Sequence, residues 1–247
     1  MNFGHSISAA WYPNVSRIIP TVFVVDDDIC VRDSLELLIR TSGWQPETFA
    51  SAQEFLSRPR APSPSCLLCE IALPDLNGVE LLQLVADRLE MPTIFISRYD
   101  DIRLTVRAMT AGAMDYLTKP FDDGVMLNAI RQAIERSNSV LRQTALVRAL
   151  QDCYELLSRR EREVMTLVVT GKMNKQIAAE LRISQITVKA HRRKVMEKMR
   201  ADSLAELVRI AVTLRIAVAE HGRRAPWSEG RISSRSADSK SRGTSAY

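Results

Sequence analysis

Four short apolar runs, 21-TVFVV-25, 66-CLLC-69, 93-TIFIS-97 and 115-DYLT-118, constrain the first half of this chain more than any other feature. None shows the in–out alternation of a half-solvated strand, so each reads as a strand buried on both faces, the pattern of a parallel sheet. A weaker candidate, 45-QPETF-49, makes a fifth. Between the runs lie stretches with apolar residues at helical spacing, such as Val31, Leu35, Leu38 and Ile39. Strands alternating with helices predict an α/β domain over residues 21–137, with a doubly wound, five-stranded parallel sheet. In such sheets the functional crevice opens beyond the carboxyl ends of the strands. Those ends supply Asp26, Asp27 and Asp28 from the first strand, Glu70 from the third, Ser97 from the fourth and Lys119, followed by Pro120, from the fifth.

The second half changes character. Residues 138–152 predict a helical linker, and residues 153–218 an all-α domain of four helices. Ser158 and Glu161 form a Ser-x-x-Glu capping box ahead of Val164, Leu167 and Val168, and Gly171 closes that helix. A short helix over residues 174–182 buries Ile177, Ala178 and Leu181. Ser184 then caps a helix running to about Met199. Ser203 and Glu206 form another capping box and open a last helix with Leu204, Leu207, Val208 and Ala211 inward. A short helix, a tight turn and a longer helix bearing 189-KAHRRK-194 make a helix-turn-helix pattern. Placing Val188, His191, Val195 and Met199 inward turns Lys189, Arg192 and Arg193 outward along one stripe, beside Ala190. Such a stripe suits the major groove, where Arg and Lys reach guanine edges and phosphates. Asn174, Lys175, Ser184 and Thr187 stand near helix starts, placed to donate to phosphates. A basic helix face alone is more often merely solvated; the capped four-helix frame favours DNA. His191 reads as packed or phosphate-facing, since no nucleophile or acid pair accompanies it.

Charge divides the chain in the same way. The net charge is +5, yet residues 20–137 carry 11 Lys and Arg against 18 Asp and Glu, and residues 150–218 carry 14 against 8. Only the second half is therefore expected to meet a polyanion. No apolar run approaches the roughly 18–20 residues of a membrane span. Residues 1–20 read as an extension without a secretion signal, so a cytoplasmic location is expected. Cys66 and Cys69 make a CxxC, but no second pair and no nearby histidine accompany them, and they read as buried packing thiols. Residues 219–247, rich in Ser and Arg, predict a disordered tail.

Residues 156–211, with NKQIAAEL, TVKAHRRKVMEKM and SLAELVRIA, resemble the LuxR-type DNA-binding domain of FixJ and NarL regulators. That resemblance implies that residues 174–193 are the helix-turn-helix proper, and that the protein binds as a dimer through its last helix. Residues 21–137 resemble the receiver domain of two-component response regulators, with a flavodoxin-like fold and closest in pattern to the FixJ group. The matching pieces are 24-VVDDDICVRDSL-35, 70-EIALPDLNG-78, 97-SRYDD-101 and 112-GAMDYLTKPF-121. Clustered carboxylates hold Mg²⁺ through oxygen ligands, while a lysine and a hydroxyl stabilise a transferring phosphoryl group. By resemblance, Asp26 and Asp27 are metal-binding acids beside Glu70, Ser97 is the switch hydroxyl, Tyr116 the reorienting aromatic and Lys119 the phosphate-sensing base. The implied partners are double-stranded promoter DNA, a second copy of the chain, a sensor histidine kinase and RNA polymerase. No enzymatic activity is expected.

Glu70 stands where this family has its phospho-accepting Asp, with Pro74 and Gly78 at the family's offsets. One more methylene moves the carboxylate about 1.5 Å towards Lys119, the length of a carbon–carbon bond. In-line transfer depends on placement, and an error near 1 Å costs about a hundredfold. Aspartyl phosphorylation at this position is impossible. Two readings follow: Glu70 mimics the phosphorylated state, or the pocket is inert and the receiver is a dimerisation or ligand-responsive module. Arg98 also departs from the family's small residue, and is placed to cover the pocket or pair with Glu70. Asp28 and Asp75 are weak substitute acceptors, since a helix start and a Pro-Asp turn account for them. The alternative for the whole chain is a kinase-docking or phosphate-sink receiver with only non-specific DNA affinity, which a salt titration separates.

Overall fold

The strands form where the apolar runs place them. In a computed structural model describing residues 19–59, 63–98 and 101–216, they are β1 (Thr21–Val25), β2 (Gln45–Phe49), β3 (Ser65–Glu70), β4 (Thr93–Ser97) and β5 (Asp115–Thr118). Residues 1–18 of the expected extension and the whole expected tail lie outside the described residues. All five strands pair in parallel, in the order β2-β1-β3-β4-β5. Pro46, which cannot donate to a ladder, is tolerated because β2 is an edge strand. Between the strands run α1 (Ile29–Thr41), α2 (Ala52–Ser57), α3 (Gly78–Leu84) and α4 (Ile102–Thr110), and α5 (Asp123–Glu155) follows β5. The strand order reverses between β1 and β3, so the crevice opens with Asp26 on one lip and Glu70 on the other.

Alternate residues of each strand enter opposite layers. Val22, Val24, Cys66, Leu68, Ile94 and Ile96 pack beneath Leu35 and Ile39 of α1 and Met126 and Ile130 of α5. Leu67, Cys69 and Phe95 meet Phe55, Val79, Leu81 and Ala108 from α2, α3 and α4. Cys66 and Cys69 therefore face opposite sides of the sheet and cannot share a metal ion. Burial pushes both thiols far above their ordinary range, and they are packing residues as expected. The expectation of strands buried on both faces holds fully for β3 and β4. The edge strand β5 is only half-buried, because it has a neighbour on one side alone.

Gly78 fixes how closely the crevice is built. A Cβ there would lie 2.8 Å from Phe95 Cε1, 3.0 Å from the Glu70 carbonyl oxygen and 3.0 Å from Ile71 Cα. The start of α3 is thus pressed against the strand that carries Glu70. Gly78→Ala is expected to cost about 1–3 kcal/mol through overpacking, read as a lower receiver melting temperature. An unchanged melting temperature would contradict this packing.

The helix α5 runs for 33 residues without a break. Its first turns bury Met126, Ala129, Ile130, Ala133 and Ile134 on the sheet, and its last turns bury Leu146, Leu150 and Cys153 in a separate core. The expected linker is helical, but Leu146 and Leu150 are core residues rather than spacer. The second core is completed by α6 (Arg159–Val169), α7 (Asn174–Leu181), α8 (Gln185–Lys198) and α9 (Leu204–Thr213). Ser158 and Glu161 form the expected capping box, and Gly171 follows α6 at φ +83°. Ser184 caps α8 by accepting from the Thr187 amide. Ser203 accepts from the Glu206 amide, while the Glu206 carboxylate reaches the Asp202 amide at 2.9 Å. One inward residue is corrected: Leu204, in the first turn of α9, is 45% exposed, and burial falls on Leu207, Ile210 and Ala211 at helical spacing.

Glu161 fastens three parts of this domain. Its carboxylate accepts from the Ser158 amide at 2.8 Å and from Lys198 Nζ at 2.7 Å, and Lys198 also donates to the Leu156 carbonyl. Burial pushes the carboxyl upward, but the Lys198 and Ser158 bonds outweigh it and hold Glu161 at about 2, below its ordinary 4.5. A depressed carboxyl contributes stability that is complete above the ordinary value and lost as pH falls. Unfolding of the C-terminal domain should therefore steepen between pH 4.5 and about 2, and Glu161→Gln should flatten that dependence. Glu161→Ala should cost about 1–3 kcal/mol, a lost cap plus an unpaired buried partner. Acid profiles that coincide for wild type and Glu161→Gln would contradict the assignment.

Candidate functional site: an acidic pocket and a basic helix

At the switch point, β1, β3, β4 and β5 end within reach of one another. Asp26 is fully buried and Glu70 is 4% exposed. Lys119 Nζ donates to Asp26 Oδ2 at 2.6 Å and to Glu70 Oε2 at 2.7 Å. The remaining oxygens are engaged too: Asp26 Oδ1 accepts from the Asp28 amide at 2.9 Å, and Glu70 Oε1 from the Ala72 amide at 3.3 Å. Lys119 is positioned by its own amide, which donates to the Ser97 carbonyl at 2.7 Å. Two buried carboxylates thus share a single ammonium, the arrangement that burial demands of charge.

Of the expected pocket residues, Asp26, Glu70, Lys119 and Ser97 come together at this edge, with Ser97 fully buried at the end of β4. Tyr116, on β5, is half-buried and packs against the cluster under α3 and α4. Asp27 differs from them in burial. It is exposed, because the chain leaving β1 turns Asp26 inward and the next residue outward. Among the described residues no group of three or more His, Cys, Asp or Glu side chains could hold a metal ion. Mg²⁺ demands several oxygens around an open centre, and here the Lys119 ammonium is bonded to both buried carboxylates. The expected set of Asp26, Asp27 and Glu70 therefore does not fit the ion in this arrangement.

Arg98 does not pair with Glu70. Its guanidinium binds Asp28 Oδ2 at 2.5 Å, bridging the end of β4 to the start of α1, while Asp28 Oδ1 caps α1 at the Cys30 amide. Asp75 accepts from the Gln53 amide at 2.9 Å and the Ala52 amide at 3.3 Å. Burial raises its carboxyl, but these backbone bonds prevail and hold it below the ordinary range. Both acids thus serve helix starts through backbone amides. The sequence marks Arg98 as an unusual cation but does not identify Asp28 as its partner.

In the helical domain, Lys189, Ala190 and Arg193 are exposed on α8, over the buried Val188 and Val195. Lys175 is exposed at the start of α7, and Asn174 is half-buried beside it. The Ser184 hydroxyl lies 2.8 Å from Thr187 Oγ1 and accepts from the Thr187 amide, so both hydroxyls already serve the helix start. His191 is half-buried, and its buried Nδ1 has no hydrogen-bond partner among the described residues. Arg192 departs from the expected outward stripe. It is half-buried, and its Nη1 donates to Asn174 Oδ1 on α7 at 2.9 Å. Sequence reasoning missed Ile186, which is 80% exposed in the first turn of α8. Its signal was an apolar residue out of phase with Val188 and Val195.

A sheet-edge pocket of two acids and a lysine, joined by one long helix to a helix-turn-helix, defines a receiver that controls a DNA-binding module. Residues 22–131 match the response regulator receiver domain family, and residues 155–211 match the luxR family of bacterial regulatory proteins. Nodulation protein W of Bradyrhizobium diazoefficiens is 46% identical over 196 residues, 79% of this chain and 86% of that protein. The transcriptional regulatory protein FixJ of Rhizobium meliloti is 38% identical over 193 residues, 78% of this chain and 95% of that protein. Among solved structures, the response regulator StyR is similar at 39% identity with a TM-score of 0.73, covering 79% of this chain and 99% of that one. The chain belongs to the FixJ-type two-component response regulators, a non-enzymatic family of DNA-binding transcriptional regulators. Regulators of this class bind DNA and take their signal from a cognate sensor kinase. Among the described residues no helix is long and apolar enough to cross a membrane.

Proposed function

We propose that Glu70 itself, without phosphorylation, holds this receiver in its DNA-competent form. The observation that carries this reading is the bonding of Lys119 to Glu70 at 2.7 Å, a permanent anion on the lysine that senses phosphate in the family. The longer side chain satisfies Lys119 and still takes the Ala72 amide with its other oxygen. In this reading Ser97 and Tyr116 stay in their packed positions, Mg²⁺ is dispensable, and the sensor kinase docks without transferring phosphate to position 70.

The DNA-competent form acts as a homodimer in the cytoplasm. Two exposed apolar stripes support that: Ile102, Val106 and Met109 on α4, and Leu204 and Val212 on α9. Lys189, Ala190 and Arg193 face base edges and phosphates in the major groove, Lys175 adds a phosphate contact, and Ser184 and Thr187 fix the start of α8. Ile186 offers an apolar contact to a thymine methyl. The bound dimer then acts on RNA polymerase at the promoter. The test is binding to a duplex carrying a site selected from random DNA by the wild-type protein. Glu70→Ala should bind it at least about tenfold more weakly, a population shift of roughly 1.4 kcal/mol. Equal binding would favour the inert-module reading.

A further inference from the structure

Arg192 and Asn174 form the side-chain bond described above between the two helices of the motif, and its chemistry is directional. A guanidinium can only donate, so the group of Asn174 facing Arg192 must be its carbonyl oxygen. The Nη1–Oδ1 distance of 2.9 Å is that of a well-formed bond. The two hydrogens on Asn174 Nδ2 are thereby turned away from Arg192, and no hydrogen bond occupies them among the described residues. Asn174 is the first residue of α7 and lies next to the exposed Lys175. Arg192 itself is less exposed than its neighbours Arg193 and Lys194.

We infer that Arg192 is a positioning residue for DNA binding: it orients the Asn174 amide so that Nδ2 donates to a backbone phosphate, and does not itself read the groove. This rests on the proposed reading of α8 as the DNA-facing helix. It divides the basic stripe into two tasks. Lys189 and Arg193 meet the duplex directly, and Arg192 sets a neutral donor eighteen residues away in sequence. A neutral amide held in place binds a phosphate oxygen without the rotamer cost of a free lysine. Lysine at 192 would keep the charge but lose the planar donor that fixes the amide.

The test is a double-mutant cycle on full-length protein, with affinity for the selected duplex and melting temperature measured together. Arg192→Ala and Asn174→Ala should each weaken binding by about tenfold, and the double variant should be no weaker than either alone, because they remove one contact. In the Asn174→Ala background, Arg192→Ala should leave the slope of log affinity against log salt unchanged, whereas a direct phosphate contact would lower it by about one. Asn174→Asp keeps an acceptor for Arg192 but removes the donor and sets a carboxylate against the phosphate. It should lose more affinity than Asn174→Ala, with a melting temperature equal to wild type or higher, an outcome that a merely structural role for the pair does not produce. Additive losses in the cycle would overturn the proposal. Lys189→Ala is the control: if it too binds as tightly as wild type, the assignment of α8 fails, and if it alone is weakened, only the positioning role fails.

Discussion

Replacing Lys189 and Arg193 together with alanine will weaken specific duplex binding by at least about a hundredfold, since each contact of this type contributes about 1–3 kcal/mol. Both side chains are exposed on α8, four residues apart and so on one face, and neither takes part in the core formed by Val188, Val195 and Met199. The double variant should therefore melt with the wild type, which separates lost contacts from lost fold. Residual binding should be salt-sensitive and indifferent to sequence, as expected of the phosphate attraction that remains. An unchanged footprint would remove α8 from the interface and return the receiver's docking or phosphate-sink role to first place.

The second large effect is on stability. Lys119→Ala will destabilise the receiver by about 3–5 kcal/mol, the usual result of leaving a buried charge without its partner. The reason is local: Asp26 is fully buried and Glu70 nearly so, and both bond the one ammonium. For a domain of about 100 residues each kcal/mol shifts melting by roughly 4–8 °C, so the receiver transition should fall by more than about 10 °C. Adding Glu70→Gln to Lys119→Ala removes one of the two stranded charges and should restore part of the loss. A Lys119→Ala receiver melting with the wild type would show that the two acids do not depend on this lysine.

Much of this architecture was legible because the strands announce themselves. Runs such as CLLC and TIFIS are buried on both faces, and the residues that end them fall at one sheet edge by topology alone. Capping signals were equally local: Ser158 with Glu161, and Ser184 with the Thr187 amide, are read within four residues and recur in space. What sequence could not supply is the direction of long side chains. Arg98 has several acids within its reach, and only the fold selects Asp28 over Glu70. Arg192 has the spacing of an outward residue but lies against α7, where Asn174 takes it. Asp27 illustrates the same limit, since neighbours in a chain leaving a strand diverge: Asp26 is buried and Asp27 exposed. The linker expected to be helical over residues 138–152 lies within one uninterrupted helix, as its polarity over residues 138–145 allows.

The central claim is that Glu70 supplies permanently what phosphorylation supplies elsewhere in the family. The most direct test is duplex binding by wild type, Glu70→Asp and Glu70→Ala, each with and without a small phosphodonor. The account predicts tight, donor-independent binding by wild type, binding at least about tenfold weaker by Glu70→Ala, and binding by Glu70→Asp that is weak alone and strengthened by the donor. Equal affinity of wild type and Glu70→Ala, with or without donor, would contradict it.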